Sequence, residues 1–303
     1  MSTALLICVK AINGGLFVAL FAVLGELLQP KRFAGIFGAS PAVALGNLLV
    51  IALAEGEASA RVSATGMIAG AVALAVACTA AIPAVRRWGT VWGSAVLWTV
   101  WLTVGGAIAL PVAGAASARS PSGLPVGGQA GRQPGRRARR QADTSRSTGV
   151  APGRLFAVDV GALREIPLPA LVVRFAFGAT ISVVAGLIGV LAGKAAGGVM
   201  LAAPAVLPAT LTIIERHEGR GPAVTEVEGA VPGAIALISF AGVAAASTAR
   251  IPLGAALLAA LATWVAVAIG GYLTLAAIVP SWRQDVRTLA FHRRDAARAR
   301  RAA

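Results

Sequence analysis

The chain has 303 residues, of which 57% are hydrophobic and only 13% are charged, and its mean hydropathy is +0.79. A soluble globular domain carries roughly 25% charged residues. The composition therefore excludes an ordinary soluble enzyme, a disulfide scaffold and a disordered protein, and it predicts an all-α integral membrane protein.

Eight segments are apolar and long enough, at roughly 20 residues, to cross a bilayer as helices. In chain order they are Ala4–Leu28, Phe33–Leu53, Gly66–Val85, Val91–Val112, Leu168–Leu191, Gly197–Ile214, Gly229–Ala249 and Ile251–Val279. The sequence thus predicts about eight spans, four before residue 113 and four after residue 167.

The positive charge, +15 in all, is concentrated outside these segments. Nine arginines lie in residues 113–167, a Gly/Pro/Arg-rich stretch predicted to be a disordered tether, and seven lie in residues 281–303, the C-terminal tail. The tail has arginine at helical spacing beside Trp282, which predicts an amphipathic helix on anionic lipid headgroups. Nucleic acid is the alternative partner. Basic segments beside membrane spans are more simply explained by the positive-inside rule.

The two sides of the tether repeat each other. GASPAVALGNLL (38–49) aligns with LAAPAVLPATLT (201–212) at an offset of 163, and the loop AEGE (54–57) aligns with HEGR (217–220). CVKAINGG (8–15) aligns with VVRFAFGA (172–179). Residues 1–112 and 168–280 are therefore predicted to be two copies of one four-helix unit.

Each copy resembles the GlpM family of small four-helix bacterial inner-membrane proteins. The resemblance lies in an early basic residue in the first helix, an AG or GG pair before a proline-containing second helix, a Glu-Gly pair in the next loop and a late Ile-Pro pair. These are Lys10 and Arg174, Ala34-Gly35 with Pro41 and Gly197-Gly198 with Pro204, Glu55-Gly56 and Glu218-Gly219, and Ile82-Pro83 and Ile251-Pro252. The resemblance implies an inner-membrane location, no established biochemical activity, and a family proposed to insert in both orientations.

The orientation of the two halves has two interpretations. Four spans per half, with a tether that does not cross, predict parallel halves with the N-terminus, tether and C-terminus all cytoplasmic. The short loops disagree: Lys31, Arg32, Arg86 and Arg87 favour an outside N-terminus for the first half, whereas the second half favours an inside one. Opposite biases are typical of an inverted repeat, which requires one apolar run not to cross.

Catalytic signatures are weak. His217 and His292 have no metal-ligand spacing, ERHE (215–218) lacks the second histidine of a zinc helix, and GASPA around Ser40 lacks the final glycine of a nucleophile elbow. The sequence predicts no enzyme activity, no metal site and no cofactor.

Ionisable residues inside spans are the first candidates for transport or binding. Lys10 and Arg174 hold matching positions in the two halves and can attract an anionic group, or they can extend to the headgroups along their long stems. Glu26 has no acidic counterpart, since it aligns with Gly189, and it is either a cation or proton site or an interfacial carboxylate.

Pro41 and Pro204 are predicted to kink the second helix of each half and to free the carbonyls of Phe37 and Met200. With Asn47 and Thr210 two turns on, they form a candidate polar notch between the halves; packing alone is the alternative.

A set of glycines at GxxxG spacing is predicted to mark helix contacts: Gly66, Gly70, Gly229, Gly233, Gly189, Gly193 and Gly197. Taken together, the sequence favours a channel or transporter for a small solute or ion. A non-transporting accessory or scaffold protein for envelope or lipid machinery is the alternative, and a homo-oligomer is compatible with both.

Overall fold

A computed structural model describes residues 2–29, 31–117, 157–158, 168–248, 250–279 and 282. Most of the predicted tether and nearly all of the tail therefore lie outside the described residues. The described chain is helical except for one pair of two-residue strands, β1 (Leu28–Gln29) and β2 (Ala157–Val158), which run antiparallel.

The element order of the first half is a long helix, two short helices, and two further long helices. These are α1 (Thr3–Glu26), α2 (Lys31–Gly38), α3 (Ala42–Glu55), α4 (Glu57–Trp88) and α5 (Thr90–Ser117). The second half has the same order, with α6 (Leu168–Leu191), α7 (Lys194–Met200), α8 (Leu207–Glu218), α9 (Arg220–Ser247) and α10 (Leu253–Ile278).

Six of these helices are long and apolar enough to cross a membrane: α1, α4, α5, α6, α9 and α10. This confirms a multi-pass helical membrane protein. Large apolar side chains also point away from the bundle, among them Leu16 at 59% exposure and Leu258 at 68%. Exposed apolar surface on this scale fits contact with lipid rather than water.

Two of the predicted spans, 33–53 and 197–214, are not continuous helices in the structure. Each is a pair of short helices, α2 with α3 and α7 with α8, separated by a break that contains Pro41 or Pro204. Proline lacks the N–H needed to continue a helix and disfavours helical geometry in the residue before it. Each helix is therefore interrupted at this point instead of continuing through a kink.

The first helices of the two halves, α1 and α6, pack against each other and run antiparallel. A Cβ added to Gly186 would lie 3.4 Å from Ile7, whereas one added to Gly178 would lie 2.7 Å from Val18. Positions that ascend along α1 thus meet positions that descend along α6. Helices α1 and α6 are therefore antiparallel in this bundle, which differs from the expectation of parallel halves, because counting spans along the chain does not include the packing between α1 and α6.

The bundle has two distinct ends, which we name after one residue in each. The Arg86 end holds the α4–α5 and α8–α9 turns, joined by the hydrogen bond from Arg86 to Glu228 (3.1 Å). The Lys194 end holds the α3–α4 and α6–α7 turns, joined by an ion pair between Lys194 and Glu55. Helix α1 begins at the Lys194 end and α10 finishes at the Arg86 end. The start of α1 and the finish of α10 therefore lie at opposite ends of the bundle, and the membrane side of each terminus stays a prediction.

Candidate functional site at the two helix breaks

The two helix breaks meet near the centre of the bundle and enclose a small cavity. Its twelve lining residues form six pairs whose members are 163 positions apart: Gly38 and Leu201, Ala39 and Ala202, Ser40 and Ala203, Ala42 and Ala205, Val43 and Val206, Leu74 and Leu237. The cavity volume is about 10 Å³, about the space of one water molecule. Equivalent positions of both halves thus form one central site.

The breaks keep part of their backbone hydrogen bonding. The Ser40 N–H donates to Phe37 O (3.2 Å), and the Ala203 N–H donates to Met200 O (3.1 Å). The two carbonyls predicted to be freed by the prolines are therefore occupied by tighter, 3₁₀-type bonds. These two carbonyls already accept a hydrogen bond and are not left free to bind a solute.

The first-turn N–H groups of α3 and α8 are the other backbone groups at the centre. Pro41 and Val206, the residues that precede these helices, provide no side-chain cap. The Ser40 hydroxyl oxygen is buried and has no hydrogen-bond partner among the described residues. Uncapped N-termini carry partial positive charge, and the adjoining C-termini of α2 and α7 carry partial negative charge. The centre is therefore apolar in its side chains but polar in its backbone.

Close helix packing holds the broken helices in place. Helix α2 packs on α9 and helix α7 packs on α4, so that the broken helices of each half contact a long helix of the other half. A Cβ on Gly233 would meet the backbone of Ile36, with the Ile36 Cα 3.1 Å away, and a Cβ on Gly70 would lie 3.1 Å from the carbonyl carbon of Val199. Gly70 and Gly233 are 163 positions apart, as are their partners.

Two buried tryptophans donate hydrogen bonds to the glycines that pack against the broken helices. The Trp101 Nε1 donates to Gly70 O (3.0 Å), and the Trp264 Nε1 donates to Gly233 O (3.2 Å). Both side chains are at most 2% exposed. Each indole satisfies its single donor with the backbone of the glycine that packs on the opposite half. This pair was not among the predicted functional residues, although Trp101 and Trp264 stand 163 positions apart in the sequence.

The remaining predicted packing glycines fall into two groups. Gly66 approaches the backbone of Ala195, a Cβ on Gly197 would lie 2.8 Å from the Gly189 Cα, and the Gly229 Cα lies 3.0 Å from the Cβ position of Gly35. Gly193 differs, because it has a φ of +92° and no atom within 4 Å of its Cβ position. It forms the turn before α7 rather than a helix contact.

Asn47 joins the halves instead of lining the central cavity. It is 1% exposed, and its Nδ2 donates to Val43 O (2.9 Å) and to the Ser182 hydroxyl (2.8 Å) of α6. Its Oδ1 has no partner among the described residues. Thr210, at the equivalent position, is 7% exposed and donates to Val206 O (3.0 Å) within its own helix.

Lys10 belongs to a buried ion cluster at the Lys194 end. It is 6% exposed, and its Nζ lies 2.6 Å from Glu55 Oε1. The other oxygen of the same carboxylate pairs with Lys194. The sequence identified Lys10 but not Glu55, which was placed in a turn, and not Lys194, which belongs to the other half and shares the Glu55 carboxylate with Lys10.

Arg174 is 3% exposed and lies far from Lys10. Lys10 is beside Gly186, and Gly186 is twelve residues from Arg174, or about 18 Å along α6 at 1.5 Å per residue. The two cations therefore do not share a site. Glu26 is the last residue of α1, and its side chain lies outside the described residues.

No protein family, curated protein or solved structure matches this chain. The resemblance to the GlpM family remains a prediction from motifs. The candidate site consequently depends on the geometry of this chain alone.

Proposed function

We propose that the chain is a duplicated, GlpM-type membrane unit whose two copies pack as an inverted repeat, and that it acts as a channel or transporter for a small solute or ion. The observation that carries this proposal is the meeting of two interrupted helices at the bundle centre. Interrupted helices with exposed backbone at the midplane are a recurrent device of transporters built from inverted repeats.

The duplication is supported by contacts that recur at an offset of 163. The cavity pairs, the Trp101 and Trp264 bonds and the glycine contacts all obey it. The Glu-Gly pairs also correspond, since Gly56 and Gly219 end α3 and α8 with φ values of +90° and +94°. Counting each broken pair as one crossing gives four crossings by helices in each half. The chain from α5 to α6 joins opposite ends of the bundle in addition, so the two termini lie at opposite ends.

The direction of insertion follows from the loops. The Arg86 end is adjoined by Lys31, Arg32, Arg86, Arg87, Arg216 and Arg220, whereas the Lys194 end has Arg61, Lys194 and Arg250. Under the positive-inside rule the Arg86 end is cytoplasmic. The opposite biases of the two halves then become consistent, because an inverted arrangement brings both sets of basic loops to one membrane surface.

Reporter fusions test this arrangement. A reporter that is active only in the cytoplasm is placed after Gly56, after Gly219 and after Ala303, in separate full-length chains. We expect activity at Gly219 and Ala303 and none at Gly56. The same result at Gly56 and Ala303 would contradict an inverted repeat within one chain.

Transport is tested in proteoliposomes by osmotic light scattering, with glycerol, potassium chloride and potassium gluconate as probes. We expect the protein to accelerate the entry of at least one probe. The larger side chain of Ala202→Val fills the central cavity and should remove this acceleration. Gly242→Ala, at an open helix position, should retain it. Acceleration that survives Ala202→Val would place the route elsewhere.

A non-transporting accessory or scaffold role is the second candidate. The small volume of the central cavity favours it, because a single water-sized space does not form a path. In that case no probe enters faster in the presence of the folded protein, and altering the glycine contacts still disrupts its association with other membrane proteins.

A further inference from the structure

A second cavity lies at the Lys194 end, between α1, α3, α4, α6 and α7. Its polar wall consists of Lys10, Lys194, Asn47 and Ser63, and glycines form much of the rest. Asn47 and Ser63 are 1% and 2% exposed, so the polar groups are held inside the bundle. The volume is about 20 Å³, enough for a water molecule or a small ion.

The charge of this wall is entirely positive. Lys10 and Lys194 both line the cavity, whereas Glu55, which pairs with both ammonium groups, does not. Two cations share one carboxylate, which leaves a net charge of +1 in a cluster whose Lys10 and Glu55 side chains are 7% and 12% exposed and whose Lys194 side chain is 37% exposed. Glu57 does not supply the balance, because it is exposed and forms no ion pair with any described residue. Burying unbalanced charge is costly unless a counter-ion accompanies it.

The equivalent region of the other half carries an additional acid. Glu226, which is 4% exposed, occupies the position 163 residues after Ser63, and Glu218 occupies the position equivalent to Glu55. Arg174 corresponds to Lys10. The second half therefore has a carboxylate at the position where the first half has the Ser63 hydroxyl.

We propose that the Lys10–Lys194–Ser63 cavity binds a small monovalent anion of halide size. The two ammonium groups supply charge-assisted hydrogen bonds and Ser63 supplies a hydroxyl donor. Asn47 uses its amide nitrogen on Val43 and Ser182 and is not one of the donors. The anion fills the place that the Glu226 carboxylate takes in the second half.

The test uses the purified full-length protein in detergent. Thermal unfolding is measured while sodium gluconate is replaced by sodium chloride or bromide at constant ionic strength, and radiolabelled chloride binding is measured by equilibrium dialysis. Because a ligand that binds only the folded state stabilises it, we expect a saturable rise in Tm with either halide and binding of about one chloride per chain.

Ser63→Glu is the decisive variant, since it copies the acid of the second half. It should abolish the halide dependence of Tm and weaken chloride binding at least about tenfold, the factor that corresponds to losing one charge-assisted bond. Arg61→Gln, which removes an exposed cation two residues away on the same helix, is the matched control and should bind chloride as the wild type does.

If Ser63→Glu does not fold, Lys194→Gln replaces it, since that side chain is 37% exposed and its removal leaves Lys10 paired with Glu55. It too should lower chloride affinity about tenfold or more. Identical Tm values in gluconate and halide, or unchanged chloride binding in the variant, would overturn the proposal. Binding in detergent requires no flux, so a protein that binds chloride without transporting any probe contradicts only the proposed transport.

Discussion

Replacing Gly198 by alanine tests whether the broken helix α7 is held by backbone contact with α4. An added Cβ would lie 2.8 Å from the carbonyl carbon of Ser63 and 2.9 Å from its Cα, with the Ser63 oxygen closer still. Carbon atoms normally approach no closer than about 3.5 Å. The two helices would have to separate by about 0.7 Å or more, and backbone on both sides leaves no flexible side chain to move.

The expected cost follows from two opposing effects. Overpacking of this kind costs about 1–3 kcal/mol. Alanine regains up to about 1 kcal/mol over glycine inside a helix. The net loss of unfolding free energy should therefore be about 1–2 kcal/mol, which is a change of about five- to thirtyfold in the unfolding equilibrium.

Reversible unfolding by sodium dodecyl sulfate in mixed micelles, followed by tryptophan fluorescence, measures this change. Gly242→Ala is the matched control, because a Cβ at Gly242 would have no neighbour within 4 Å. It should be neutral or stabilising. A Gly198→Ala protein as stable as the Gly242→Ala protein would refute the close approach of α7 and α4.

Two further predictions concern other contacts of the bundle. The Glu215 carboxylate of α8 accepts hydrogen bonds from the hydroxyl and the N–H (2.8 Å) of Thr90, the first residue of α5, and these bonds hold its pKa below the usual value. A lowered pKa in the folded state stabilises the fold at neutral pH, and this contribution is lost as the pH falls below about 4. Glu215→Gln should therefore flatten the acid side of a curve of Tm against pH. An unchanged curve would contradict the hydrogen bonds between Thr90 and Glu215. Trp264→Phe removes the donor to Gly233 and should lower the unfolding free energy by about 1–3 kcal/mol in the same micelle assay, including the lost packing, whereas the exposed Trp92→Phe should not.

Composition predicted the membrane class but could not predict the helix breaks. Hydropathy measures only how apolar a segment is, and 33–53 and 197–214 are apolar throughout. Pro41 and Pro204 marked the correct positions. Whether such a proline kinks or ends a helix depends also on the helices that pack against the broken segments, and those helices, α4 and α9, lie elsewhere in the chain.

The orientation of the halves also depends on contacts that a single sequence does not reveal. Counting spans favoured parallel halves, yet the opposite charge biases of the loops contained the signal for the inverted arrangement. The contact of Gly178 with Val18 and Gly14 depends on packing between halves, which a pass along one sequence does not measure. The pairing of Glu55 with Lys194 was missed for this reason, since Lys194 belongs to the second half.

The inverted packing also places a condition on how the halves are joined. Helix α5 ends at the Lys194 end and α6 begins at the Arg86 end, so the chain between them connects opposite surfaces, and residues 113–167 contain nine arginines. Each arginine costs about 2.5–3.5 kcal/mol or more at the bilayer centre. The same contact between α1 and α6 forms without this cost if two chains insert in opposite orientations.

A disulfide between α1 and α6 distinguishes the two arrangements. The variant carries Ile7→Cys and Gly186→Cys in a chain whose Cys8 and Cys78 are replaced by serine. A Cβ added at Gly186 lies 3.4 Å from Ile7 Cγ1, the position that a cysteine thiol would take, so the two thiols can meet. The structure forms this contact within one chain, so the oxidised product should migrate at the monomer mass. A product at twice that mass would show that the halves pair between two chains, and the same Lys10–Lys194 cavity would then be built at the junction of two copies.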